Sequence, residues 1–64
     1  MQKNQYRLFD CEGDIQYLYI VNGSIELNNK TYFTNGLVRI KKETSIEMKA
    51  NEESEVVFID IFNA

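Results

Sequence analysis

The sequence predicts an all-β domain, a small antiparallel sandwich or partial barrel of about seven short strands. Three observations lead there. Short runs rich in β-branched and aromatic residues recur at near-regular spacing along the chain. Turn-forming residues separate them: Glu12-Gly13-Asp14, Asn22-Gly23, Asn28-Asn29, Asn35-Gly36 and Asn51-Glu52-Glu53. No stretch repeats its apolar residues at helical spacing.

The first strand is expected over Tyr6–Cys11. Leu8 and Asp10 share one face there, and Arg7, Phe9 and Cys11 the other. The second, Ile15–Val21, sets Leu18 and Ile20 against Ile15, Tyr17, Tyr19 and Val21. Both faces are largely apolar, which marks a central strand or one covered by another layer. Asn22-Gly23 and Asn28-Asn29 read as two-residue loops that need positive φ, and they make Gln16–Thr34 a pair of hairpins. Between them, Ser24–Asn28 alternates with Ile25 and Leu27 inward, Ser24 and Glu26 outward. Lys30–Thr34 points Tyr32 and Phe33 to opposite faces.

Leu37–Lys41 sets Val38 and Ile40 against Arg39 and Lys41. The tetrad Lys41-Lys42-Glu43-Thr44 turns the chain into Thr44–Ala50, with Ile46, Met48 and Ala50 inward and Ser45, Glu47 and Lys49 outward. The last strand, Glu55–Phe62, is the most apolar. Val57, Ile59 and Ile61 lie on one face, and Val56, Phe58, Asp60 and Phe62 on the other.

Sixty-four residues make one domain, spanning 1–64. A chain of this size buries barely enough apolar surface to offset its conformational entropy, and it usually needs a disulfide, a metal or a partner. A single cysteine, Cys11, cannot form an internal bridge, and histidine is absent. Self-association is therefore the expectation, with a dimer favoured. A Cys11–Cys11 bridge between chains is conceivable, but one cysteine in a short strand more often serves as a small buried hydrophobe.

The net charge of −3, without a basic stripe, argues against nucleic acid. Apolar runs are too short to span a membrane as a helix. The stretch from Met1 to Arg7 lacks the apolar core of a signal peptide, so a cytoplasmic protein is expected.

Little in the chain suggests chemistry. Without histidine there is no Ser/His/Asp or Cys/His constellation. The glycines are isolated, so none forms a phosphate loop. Asp10, Glu12 and Asp14 gather near one turn but miss the calcium-loop pattern: Gly13 falls before Asp14 rather than after it, and Val21 stands where the closing glutamate belongs. Asp60 sits inside an apolar strand, where a carboxylate is expected to be hydrogen-bonded to backbone or paired with a cation. Tyr17, Tyr19, Tyr32, Phe33, Phe58 and Phe62 are the candidates for a pocket or interface, with core packing the stronger expectation for most of them.

Tyr17-Leu-Tyr-Ile-Val-Asn-Gly-Ser-Ile-Glu-Leu-Asn-Asn-Lys-Thr-Tyr32 resembles the strand–Gly–strand–turn core of cupins. The tail from Thr44 to Phe62 is more specific. Its Glu55-Val-Val-Phe-Ile-Asp-Ile61 resembles the Glu-Val-aliphatic-aliphatic-Phe-Asp-Leu close of the C-terminal cupin domain of pirin, or quercetinase-like, proteins. The likeness covers about Asp14 to Phe62 and implies a cupin-like, jelly-roll type fold. Metal-binding cupins carry two closely spaced histidines, a glutamate and a later histidine, none of which can be placed here. The usual Gly-Asp turn is replaced by Thr34-Asn35 before Gly36.

The resemblance thus implies the metal-free second half of a two-domain pirin, with no cofactor. Two functions follow as expectations. One is a non-catalytic module acting through self-association or through a separate pirin-like subunit. The other is a small-molecule binder of aromatic, flavonoid-like compounds, or a quercetinase-related enzyme.

Overall fold

The computed structural model describes residues 1–41 and 43–62. It contains seven strands: β1 (Tyr6–Asp10), β2 (Ile15–Asn22), β3 (Ser24–Leu27), β4 (Lys30–Phe33), β5 (Leu37–Lys41), β6 (Ser45–Ala50) and β7 (Glu55–Ile61). One sheet has the order β1-β6-β3-β4 and the other β5-β2-β7. Every pairing is antiparallel. The two sheets face each other as a sandwich and do not close into a barrel, which decides between the two expected forms. Strand limits differ from the expected ones by one residue at several ends. The expected turn at Lys41–Thr44 includes Lys42, which lies outside the described residues.

Alternation builds the core. Leu18 and Ile20 of β2 and Ile40 of β5 are buried from one sheet; Ile25 and Leu27 of β3 and Ile46, Met48 and Ala50 of β6 are buried from the other. Phe9, Cys11, Tyr32, Val38, Val56 and Phe58 pack around them. The apolar inward residues expected for β3 and β6 are buried, the Val38–Ile40 face of β5 is the one turned to the core, and β2 is central in its sheet.

Of the two expected two-residue loops, one is as expected and one is not. Asn28 and Asn29 both adopt positive φ, 51° and 65°, and join β3 to β4 as a hairpin. Asn22-Gly23 is not a hairpin loop, because β2 and β3 belong to different sheets. Gly23, at φ 108°, forms a corner where the chain crosses the sandwich. Its N–H donates to Thr34 Oγ1 at 3.0 Å. A Cβ on Gly23 would lie 2.6 Å from Ser54 Cβ, so glycine is required for space as well as for φ.

Ser24 also departs from expectation: it is buried rather than outward. The corner after β6 folds over it. Ser24 N–H donates to Ser54 Oγ at 3.0 Å, Asn51 N–H donates to Ser24 O at 2.9 Å, and Ser54 Oγ donates to Glu52 O at 2.8 Å. This polar knot pins two sheet-crossing corners together.

Candidate functional site

The two faces of the β5-β2-β7 sheet differ in character. Register places Leu37, Tyr19 and Val57 in one outward row, Arg39, Tyr17 and Ile59 in the next, and Lys41, Ile15 and Ile61 in the third. The aliphatic stripe of β7 is open to solvent, with Val57 45%, Ile59 48% and Ile61 42% exposed. Leu37, Tyr19 and Val21 are exposed beside it. This half of the sandwich therefore carries its own apolar outer face. The cause is local: β2 and β7 are apolar at both parities, and only one parity can point into a two-layer core.

The inner face ends in a polar latch. Gln16 lies opposite Asp60 in the β2–β7 ladder and is fully buried. Its Nε2 donates to Asp60 Oδ1 and to Gly13 O, each at 2.8 Å. Gly13 N–H donates to Asp60 Oδ1 at 2.9 Å, and Glu12 N–H donates to Oδ2 at 3.1 Å. The side-chain bond from Gln16, followed by those two backbone bonds, holds the Asp60 carboxyl below its ordinary range despite opposition from partial burial. A Cβ at Gly13 would come within 2.5 Å of Asp60 Oδ1, so the turn can approach the carboxylate only as glycine. Asp60 thus ties β7 to the β1–β2 turn through backbone bonds, one of the two forms of satisfaction expected of it.

Gln16 was not singled out by sequence reasoning, although it shares the inward parity of Leu18 and Ile20 and was a polar residue on an apolar face. Two acceptors fix its amide with Nε2 toward the turn. Among the described residues its Oε1 is buried without a hydrogen-bond partner.

Cys11 is a free thiol, half-buried against the core. Burial pushes its pKa up, and the negative charges of Asp60, Glu43 and Asp10 add to the rise. The group is held as a neutral thiol, a poor nucleophile. Among the described residues, no three His, Cys, Asp or Glu side chains converge to hold a metal ion.

The six aromatic candidates are distributed rather than gathered. Tyr17 and Tyr19 belong to the outer face, and Tyr19 OH donates to Asn35 Oδ1 at 2.7 Å. Tyr32 and Phe58 pack against the core, with Phe58 stacked on Phe9 at 4.6 Å between ring centroids. Phe33 is exposed on β4, in the other sheet, and Phe62 is exposed just beyond β7.

An open cleft of about 370 Å³ lies between β1 and β7, lined by Met1, Arg7, Phe9, Glu55, Val56 and Phe58. A larger one, about 590 Å³, adjoins it and is lined mainly by polar residues, including Gln2, Gln5, Asn22 and Glu53. The described residues contain no helix long and apolar enough to cross a membrane.

The fold agrees with what comparison finds. The sequence matches the family model described as the quercetinase C-terminal cupin domain over residues 2–61. No curated protein and no solved structure matches it. A family match spanning nearly the whole chain, on a two-sheet antiparallel β sandwich, places the chain in the quercetinase C-terminal cupin domain family.

Proposed function

We propose that this chain is a non-catalytic cupin-like β module that works by association, with a second copy of itself or with a separate pirin-like subunit. One observation supports the reading above others. The outer face of β5-β2-β7 exposes a continuous apolar surface, from Leu37 through Tyr19 to Val57 and along β7 to Ile61. Exposed apolar patches beyond a few hundred Å² are characteristic of interaction sites.

Metal chemistry of the cupin kind does not fit this chain. The inward positions of the core hold Leu18, Ile20, Ile25 and Met48, and the inward polar pair Gln16–Asp60 is engaged with the turn at Gly13.

The test is the mass of the chain by light scattering after size exclusion, alone and mixed with a purified metal-binding pirin-like subunit. The reading predicts an assembly larger than the monomer in at least one condition, lost in Ile59→Glu. A monomer in both conditions at micromolar concentration would contradict it.

A further inference from the structure

The outer face of β5-β2-β7 is apolar in the middle and charged at two corners. Its charged side chains, among the described residues, are Arg39 and Lys41 on β5 and Glu55 at the start of β7. These strands flank β2 on opposite sides. Along the strand direction, Lys41 lies level with Ile15 and Ile61, whereas Glu55 lies level with Asn22, at the far end. The two signs therefore occupy diagonally opposite corners, with Tyr17, Tyr19, Val57 and Ile59 between them.

From this arrangement we infer that the face is self-complementary and docks a second copy of this chain about a two-fold axis. The inference rests on the association reading above and names its partner. A two-fold axis lying between two such faces, perpendicular to the corner-to-corner diagonal, exchanges the corners. Glu55 of one copy then meets Arg39 and Lys41 of the other, and the pair forms twice. An isologous interface requires a patch that complements itself in this way.

The area is that of a functional patch. The exposed apolar side chains amount to roughly 500 Å², toward the upper end of the largest apolar patch on a typical monomer, about 300–600 Å². Arg39, Lys41 and Glu55, all exposed, extend the face toward the standard interface contribution of about 800 Å² per partner. Apolar contact supplies the affinity, and the corner charges fix the orientation.

Charge exchange tests the inference. Glu55→Lys and the double variant Arg39→Glu/Lys41→Glu each place like charges at both corners of a homodimer. Each is expected to weaken self-association by about a hundredfold, the effect of like-charge juxtaposition in an interface. Glu55→Lys also reduces the net negative charge of −3, so general repulsion alone would predict tighter association, the opposite sign. Mixing the two variants restores attraction at both corners, so a heterodimer is expected at the wild-type affinity, read by light scattering.

All three altered side chains are exposed, and an unchanged circular dichroism spectrum verifies the fold. If the charge variants dimerise as well as wild type while Ile59→Glu does not, the corner-exchanging two-fold is wrong and the association face stands. If wild type is a monomer that still binds the pirin-like subunit, the second copy is the wrong occupant and the association reading stands. If it binds neither, both fall.

Discussion

Asp60 and Gly23 show how single residues hold this sandwich together. Asp60 accepts from two backbone N–H groups and one amide, and these bonds favour the carboxylate. Its pKa is lowered on folding, so its contribution is fully present above the ordinary aspartate range, about pH 4. That contribution is lost as pH falls through the folded value. Thermal unfolding followed from pH 7 to pH 2 is expected to show a steep loss of stability below about pH 4. In Asp60→Asn that acid-dependent step shrinks, and the melting temperature at neutral pH falls. Equal acid sensitivity in both proteins would contradict the assignment.

Gly23 is a sharper case, since both its φ and the nearby Ser54 side chain exclude a Cβ. Gly23→Ala is expected to destabilise the domain by about 2 kcal/mol or more in urea denaturation. A Gly23→Ala protein of wild-type stability would mean that the corner relaxes freely.

At the scale of strands, most of the architecture was legible. Alternation in β3 and β6 identified the apolar inward residues because each has one polar and one apolar parity. The two-sided apolar character of β2 marked it as central or covered, and it is central in its sheet. What sequence could not resolve was which parity of β7 faces the core. Val57-Ile59-Ile61 and Val56-Phe58 are comparably hydrophobic; in the fold Phe58 stacks on Phe9 and Asp60 meets Gln16, on the second set's side. Nor does an Asn-Gly pair reveal whether it closes a hairpin or carries the chain between sheets, because both need the same permissive backbone. Gln16 and Ser24 were obscured for a related reason. A polar residue reads as outward until its partners, here Asp60 and Ser54, arrive from far along the chain.

The same contrast predicts opposite mutational effects within one sheet. Leu18→Ala, at a fully buried site on β2, is expected to cost about 3 kcal/mol. That is a large fraction of the 5–15 kcal/mol typical of a domain. Ile59→Thr, across the ladder on β7, is expected to change the stability of the isolated fold by less than about 1 kcal/mol. Urea titration of both variants at low protein concentration separates the two, and a large loss in Ile59→Thr would place that residue in the core.

As a whole the molecule is a slim sandwich, 36 × 19 × 17 Å, whose interior is filled by aliphatic and aromatic side chains. What distinguishes it is a second apolar layer on the outside of the three-stranded sheet. A sheet apolar on both faces is normally covered on both. This uncovered face is the observation on which the proposed association rests. The most direct measurement is the mass of wild type and Ile59→Glu by light scattering at micromolar concentration, each alone and with a metal-binding pirin-like subunit. The account predicts an assembly for wild type and a folded monomer for Ile59→Glu. A wild-type chain that remains monomeric in both conditions would contradict it.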